Sequence, residues 1–333
     1  MIGIRGVHTT KALAARGMSP GALRHAVATG SLVRLRRGVY CDAELWRESE
    51  GRAAARHAIE VCAAWHALGE RGWAAGYSAA LLADLPVPAG QPGDVVFTLP
   101  RRWHGRRALP GLRLRTASVE PTDVTVLRAV PAARPARAAL DVAREFGFAA
   151  GLAVADAGLR RGAVGPGELS GIAARMARWS GGRQACLVGA WANGARESPA
   201  ESLSYAAFVQ AGIALPECNA WVLGSGAGGV RVDFLWRRFR LVGEVDGRIK
   251  YTDQAWRPAE RVLVEEKQRQ LRLEEAGFVV VRWTGAEAMY HPDVVLDRII
   301  RHAALAADRL GVPALTIPAR GTVKVTPWHA ECE

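Results

Sequence analysis

Three carboxylates lie inside apolar, strand-like runs toward the C-terminal end of the chain, and they restrict what that region can fold into. The first run is Val230-Arg231-Val232-Asp233-Phe234-Leu235-Trp236. The second is Leu241-Val242-Gly243-Glu244-Val245-Asp246-Gly247. Strand alternation puts Glu244 and Asp246 on one face and Val245 on the other. A short basic turn, Arg237–Arg240, joins the runs as a hairpin and brings Asp233 alongside that face. A charge in the middle of an apolar strand is costly unless something compensates it. Two compensations are open. The acids can hold a divalent cation, and an all-oxygen set with no nearby Cys or His favours Mg²⁺ or Mn²⁺ over zinc. Alternatively, they face solvent on a half-covered sheet and pair with arginines.

The flanking segments extend the same constellation. Ser198-Pro199 is a cap followed by a residue suited to a first helical turn, and Glu201 falls near the start of that helix. Pro258–Ala276 reads as a helix stopped by Gly277, followed by a strand Phe278–Trp283. Lys267 lies four residues from both Leu263 and Leu271, among positions expected to face the sheet. Lys250 follows Asp246 by four residues. Lysine is scarce in this chain, being confined to Lys11, Lys250, Lys267 and Lys324, so two near the acids are notable. The candidate site residues are Glu201, Asp233, Glu244 and Asp246, the acids that an ion would join, with Lys250 or Lys267 near them. Such an ion binds a phosphodiester oxygen and lowers the pKa of an attacking water. A lysine stabilises the pentavalent phosphate or positions the water. Arg282 and Trp283, at the end of the last strand, read as structural, with phosphate contact the alternative.

The formal charge is +12 over 333 residues, which suggests a polyanionic partner. The surplus lies in residues 1–196, while residues 197–310 are nearly balanced. The first 45 residues have the order of a winged helix-turn-helix: a helix after Thr9 or Thr10, a second from Ser19-Pro20 to Thr29, then a basic hairpin around Gly38. Candidate nucleic-acid contacts there are Arg24, Arg34, Arg36 and Arg37. A second basic cluster, Arg101, Arg102, Arg106 and Arg107 around Trp103, suits phosphate contact and base stacking, or else a solvated loop.

Between these ends, Ala53–Leu68 and Tyr77–Leu85 read as helices, and Asp94–Leu99, Leu112–Thr116 and Thr125–Val130 as strands. Residues 135–195 read as three helices broken near Gly162–Gly167 and Gly181–Gly182. The expected domains are 1–45, winged helix-turn-helix; 46–130, mixed α+β; 131–195, helical connector; 196–310, the α/β region that carries the acids; and 311–333, a loose tail. Cys41, Cys62, Cys186, Cys218 and Cys332 form no C-x-x-C pair, and with no signal-like or membrane-length apolar stretch the chain is expected in the cytoplasm.

The segments Arg231-Val232-Asp233-Phe234, Leu241–Gly247, Glu266-Lys267-Gln268-Arg269 and Gly277–Trp283 resemble the very-short-patch-repair-like family of the PD-(D/E)xK, restriction-endonuclease-like superfamily. The resemblance covers about residues 196–305. It implies an α/β fold with an αβββαβ core and a Mg²⁺-dependent DNA nuclease, in which Glu201 matches the helix glutamate, Asp233 the first strand acid and Glu244 the second. The superfamily's lysine two residues after the second acid is replaced here by Asp246. If neither Lys250 nor Lys267 takes its role, the domain is a binding relative without turnover. Thr9–Tyr40 and Gly76–Pro86 resemble, more weakly, the AbiEi type IV antitoxin family, which implies DNA binding and autoregulation. The implied partners are DNA, a second copy of the chain and a toxin protein, with no membrane.

Overall fold

The computed structural model describes residues 6–88, 90–91, 93–100, 110–117, 120–224, 228–246 and 259–316, with the side chains of 259–264 left out. The chain is mixed α/β and divides into two units. The first comprises residues 1–145 and 163–189, the second residues 146–162 and 190–333.

The first unit begins with β1 (Val7–Thr9), α1 (Thr10–Ala15), α2 (Pro20–Ala28), β2 (Leu32–Arg36) and β3 (Val39–Asp42). The strands form a small antiparallel sheet in the order β1-β3-β2. Local chemistry sets these boundaries. Thr9 Oγ1 accepts from the Ala12 amide and Ser19 Oγ from the Ala22 amide, each at 3.1 Å, so both helices have the side-chain caps that their sequences predict. The Thr10 amide donates to the Gly38 carbonyl at 2.9 Å, fixing the start of α1 to the β2–β3 turn.

The chain continues through α3 (Ala43–Glu48), α4 (Ala53–Ala67), β4 (Trp73–Ala74), α5 (Gly76–Leu82), β5 (Val95–Pro100), β6 (Leu112–Ala117), β7 (Val124–Leu127), β8 (Val130–Ala133) and α6 (Pro135–Phe146). A five-stranded mixed sheet runs β6-β5-β4-β8-β7. Every residue of α5 is buried, as are Val95–Leu99 of β5, so the core of this unit sits between that helix and the middle of the sheet.

Residues 135–195 form four helices rather than three: α6, then α7 (Phe148–Arg160), α8 (Glu168–Met176) and α9 (Gly182–Trp191). The missed break is at Gly147, whose φ of 90° only glycine adopts readily. The span read as a helical connector is shared, α6 and α8 going with the first unit and α7 with the second.

The second unit adds α10 (Pro199–Ala211), β9 (Glu217–Val222), β10 (Val230–Trp236), β11 (Leu241–Asp246), α11 (Ala259–Glu275), β12 (Val279–Thr284), α12 (Gly285–Tyr290) and α13 (Pro292–Leu310). Its sheet order is β12-β11-β10-β9. The first three strands in sequence form an antiparallel meander, and α11 crosses over to place β12 parallel to β11. One face packs Phe208 of α10 against Phe234, Trp236 and Trp283, together with α12 and α13. The other packs Val232, Leu235 and Val242 against Leu273 of α11. α7 packs on α10, and the pair is fastened by a buried ion pair. Arg196 Nε donates to Asp156 Oδ2 at 2.5 Å and Arg196 Nη2 to Oδ1 at 2.9 Å, while Ser202 Oγ donates to Oδ2 at 2.7 Å.

Candidate functional site

Two regions hold the sequence-predicted site residues. The first is the basic face of the N-terminal sheet. No residue of α2 is buried, and Arg24 stands exposed on it. Arg34 and Arg37, on and just after β2, are also exposed. Arg36 behaves differently. Its Nη1 donates to the Pro110 carbonyl at 2.9 Å and its Nη2 to the Gly111 carbonyl at 3.4 Å, and burial lowers its pKa. Arg36 ties the turn to the start of β6 and is not free for phosphate. Arg101, Arg102, Arg106 and Arg107 lie outside the described residues.

The second region is the acidic end of the C-terminal sheet, and each acid there has its own local reason for its position. Glu201 is the third residue of α10 and is 6% exposed. Its carboxylate closes the helix start. Oε2 accepts from the Glu197 amide at 2.9 Å and from Asn219 Nδ2 at 2.8 Å, and Oε1 accepts from Ser198 Oγ at 2.8 Å. Ser198 Oγ in turn accepts from the Glu201 amide at 3.2 Å, a variant of the capping box. Burial pushes the Glu201 carboxyl above its usual range; the donated bonds oppose the push and the nearby charge of Asp233 adds to it.

Asp233 sits at a kink in the meander. Its neighbour across the β9–β10 ladder, Asn219, has a φ of 51° and drops out of the pairing. Beyond that point β10 turns Phe234 and Trp236 to one core and Leu235 to the other. Asp233 Oδ2 accepts the Val245 amide of β11 at 2.8 Å, so this carboxylate takes part in joining the two strands.

Glu244 is 6% exposed on the α11 face of β11. Arg282 is its partner in the parallel β11–β12 register, and Arg282 Nη2 lies 3.0 Å from Glu244 Oε2. Arg269 of α11 puts Nη2 2.6 Å from Oε1 as an ion pair, without the alignment of a hydrogen bond. Glu266 joins both guanidinium groups through Oε1, at 2.5 Å from Arg282 and 3.5 Å from Arg269. Asp246 is exposed at the end of β11.

These contacts test whether a divalent cation fits. Glu201 spends both oxygens on its own helix start and on Asn219, Asp233 supports a strand amide, and Glu244 is neutralised by two arginines. Among the described residues, no three of His, Cys, Asp and Glu are grouped to hold a metal ion. Glu201, Asp233 and Glu244 are thus each engaged by protein groups. Lys267 is exposed on α11 and pairs with none of the three acids, and Lys250 lies outside the described residues. The residues that meet the acids, Arg269, Arg282 and Asn219, were not singled out as site residues from the sequence. Arg282 comes opposite Glu244 through the parallel β11–β12 register.

Comparison with known proteins bears on the first region. Residues 5–41 match the model of a family described as transcriptional regulator, AbiEi antitoxin. Two uncharacterized proteins of Mycobacterium tuberculosis, from strains CDC 1551 / Oshkosh and ATCC 25618 / H37Rv, are each 29% identical over 171 residues. That alignment spans 51% of this chain and 61% of each relative. Among the described residues, no helix is long and apolar enough to cross a membrane.

Proposed function

We propose that this chain is a DNA-binding transcriptional regulator of the AbiEi antitoxin kind. The observation that carries the reading is the coincidence of the family match over residues 5–41 with a helix, α2, that buries none of its side chains. In this reading β1 to β3 with α1 and α2 are a winged helix-turn-helix. α2 enters the major groove with Arg24, and Arg34 and Arg37 hold phosphates from the turn. The second unit is a restriction-endonuclease-like core, a reading supported by its order α10-β9-β10-β11-α11-β12. Its acids are held by arginines and backbone amides, which suits a scaffold for binding rather than turnover. A toxin protein encoded nearby and a second copy of the chain are the partners that an antitoxin-type regulator calls for.

The test is fluorescence anisotropy with a duplex from the chain's own promoter across a salt series. Binding is expected to weaken steeply with salt, and Arg24→Gln with Arg34→Gln and Arg37→Gln to flatten the slope by about 0.9 for each phosphate no longer neutralised. A salt slope unchanged by the triple variant overturns the assignment of this face.

A Mg²⁺-dependent nuclease is the second reading. It is favoured by the nearness of Asp233 to Glu201, whose carboxyl is pushed up first by burial and further by the Asp233 charge. Cleavage of duplex, nicked or single-stranded DNA that is lost in Asp233→Ala establishes it. Identical behaviour of wild type and variant on all three removes it.

A further inference from the structure

We propose that the first unit carries a binding site for a small phosphorylated ligand of mononucleotide size, distinct from both regions above. The site is a cavity of about 560 Å³ bounded by β5, β6, α6 and the turn at Trp179-Ser180. That volume falls within the range of about 300–1,000 Å³ typical of small-molecule sites. Its walls are charged. Arg115 of β6 and Arg137 and Arg144 of α6 line it, together with Asp141 and Glu145.

The ion pairs around this cavity form one connected network with an uneven balance. Arg137 donates Nε to Asp141 and Nη1 to Asp123, both at 3.1 Å. Arg144 donates Nη1 to Asp141 at 3.0 Å and Nε to the Ser180 carbonyl at 2.9 Å. Arg175 reaches the other oxygen of Asp123 at 2.5 Å, and Arg113 and Arg115 share Glu145. Among the described residues five guanidinium groups thus meet three carboxylates, a surplus of positive charge in the network; three of the five, Arg115, Arg137 and Arg144, line the cavity against Asp141 and Glu145. A phosphate monoester, a dianion near neutral pH, complements that surplus.

Unused donors remain on the lining arginines. Nη2 of Arg137, Nη2 of Arg144 and Nη1 of Arg115 have no hydrogen-bond partner among the described residues, and none is a sealed, orphaned atom. Planar forks with spare nitrogens suit phosphate oxygens, and such charge-assisted bonds are the strong ones. Trp179 holds two of the forks, with the guanidinium carbons of Arg137 and Arg144 each 5.0 Å from its ring centroid. Arginines already fixed by Trp179 and their carboxylates lose little freedom when an anion arrives. The volume exceeds what a bare phosphate fills, which is why the ligand is taken to carry a base-sized group.

Isothermal titration of the full chain with AMP, inorganic phosphate and adenosine, at fixed ionic strength, tests the site. AMP is expected to bind saturably with one site per chain, inorganic phosphate more weakly, and adenosine not at all. Arg115→Gln and Arg144→Gln are each expected to weaken AMP binding about tenfold, with Arg115→Lys in between because it keeps the charge and loses the fork. Thr116→Glu, at an exposed position on the rim, adds a carboxylate without touching the network and is expected to weaken binding as well. The proposal is overturned if AMP does not saturate, if adenosine or inorganic phosphate binds as well as AMP, or if Arg115→Gln, Arg144→Gln and Thr116→Glu leave AMP binding unchanged.

Discussion

His57 is a buried base whose neutral form the first unit favours. It is 1% exposed in α4, and burial pulls its pKa down to about 4. Nε2 lies 2.8 Å from Ser78 Oγ, which also accepts the Val96 amide at 2.9 Å, while Nδ1 has no partner. Among the described residues no carboxylate pairs with the ring, so burial sets its preference for the neutral form. In the unfolded chain it protonates near its ordinary value, roughly 6.5. Its contribution is fully present above that value and is lost as the pH falls toward 4, because the unfolded state takes up the proton first. Across that window the loss approaches about 3 kcal/mol, from about 1.4 kcal/mol for each unit of pKa shift. Urea unfolding from pH 7 to 4.5 is expected to show a falling stability with close to one extra proton bound on unfolding. His57→Gln is expected to flatten that slope whatever it does to the stability at pH 7. An unchanged slope removes His57 as the cause. The acids of the second unit, unlike His57, have charged or hydrogen-bonding partners. Their placement in strands follows from the period-two pattern of the sequence. Their partners do not, because Arg269 and Arg282 come to Glu244 only through a helix face and a parallel ladder.

At the level of elements, β11 shows how closely the second unit is packed around its site. Gly243 separates the inward Val242 from the acid Glu244 and lies under two indole rings. A Cβ there falls 2.6 Å from Trp283 Cη2 and 3.1 Å from Trp236 Cζ3. Both rings belong to the buried aromatic cluster, and Trp283 Nε1 donates to Ser204 Oγ at 2.8 Å, so neither swings away freely. Gly243→Ala is expected to cost about 1–3 kcal/mol by overpacking, visible as a lower urea midpoint with the m-value unchanged. A neutral result means the indoles shift more easily than their contacts suggest. The ends of helices were legible in the sequence wherever a cap and a proline fell together, as at Ser19-Pro20 and Ser198-Pro199. The inward face of α11 was not. The Leu263, Lys267, Leu271 spacing pointed Lys267 at the sheet, yet Leu271 is 46% exposed and Leu273 is fully buried. The helix is turned so that Glu266, Arg269 and Leu273 face the strands. With so few apolar residues on this helix, pairing with Glu244 and Arg282 sets its rotation as much as hydrophobic burial does.

At the scale of the whole chain, the two units are not successive in sequence. The chain leaves the first after residue 145, gives α7 to the second, returns for residues 163–189, and leaves again. A break in composition and charge near residue 196 made that point look like a domain border, since charge balance cannot reveal that one helix of a run belongs elsewhere. The physical border is set by what α7 must bury. Phe148, Leu152 and Val154 are at most 1% exposed, and Asp156 and Arg196 form an ion pair whose side chains are each 1% exposed. Cutting between residues 195 and 196 gives an N-terminal fragment with α7 and Asp156 uncovered, and a C-terminal fragment with Arg196 unpaired. Breaking a buried pair by removing one partner costs about 3–5 kcal/mol, a large share of the stability of an ordinary domain. Fragment 196–333 is therefore expected to unfold or aggregate when made alone, and fragment 1–195 to expose apolar surface to a dye such as ANS. Co-expression of the two is expected to recover a soluble pair, because the missing surfaces are supplied from the other piece. Asp156→Asn in the intact chain keeps the shape and removes the charge, and is expected to lower stability in the same direction by a smaller amount, since an amide oxygen still accepts from Arg196. A fragment 196–333 that folds cooperatively by itself, with a melting transition matching that of the full chain, would show that α7 adds nothing to the second unit.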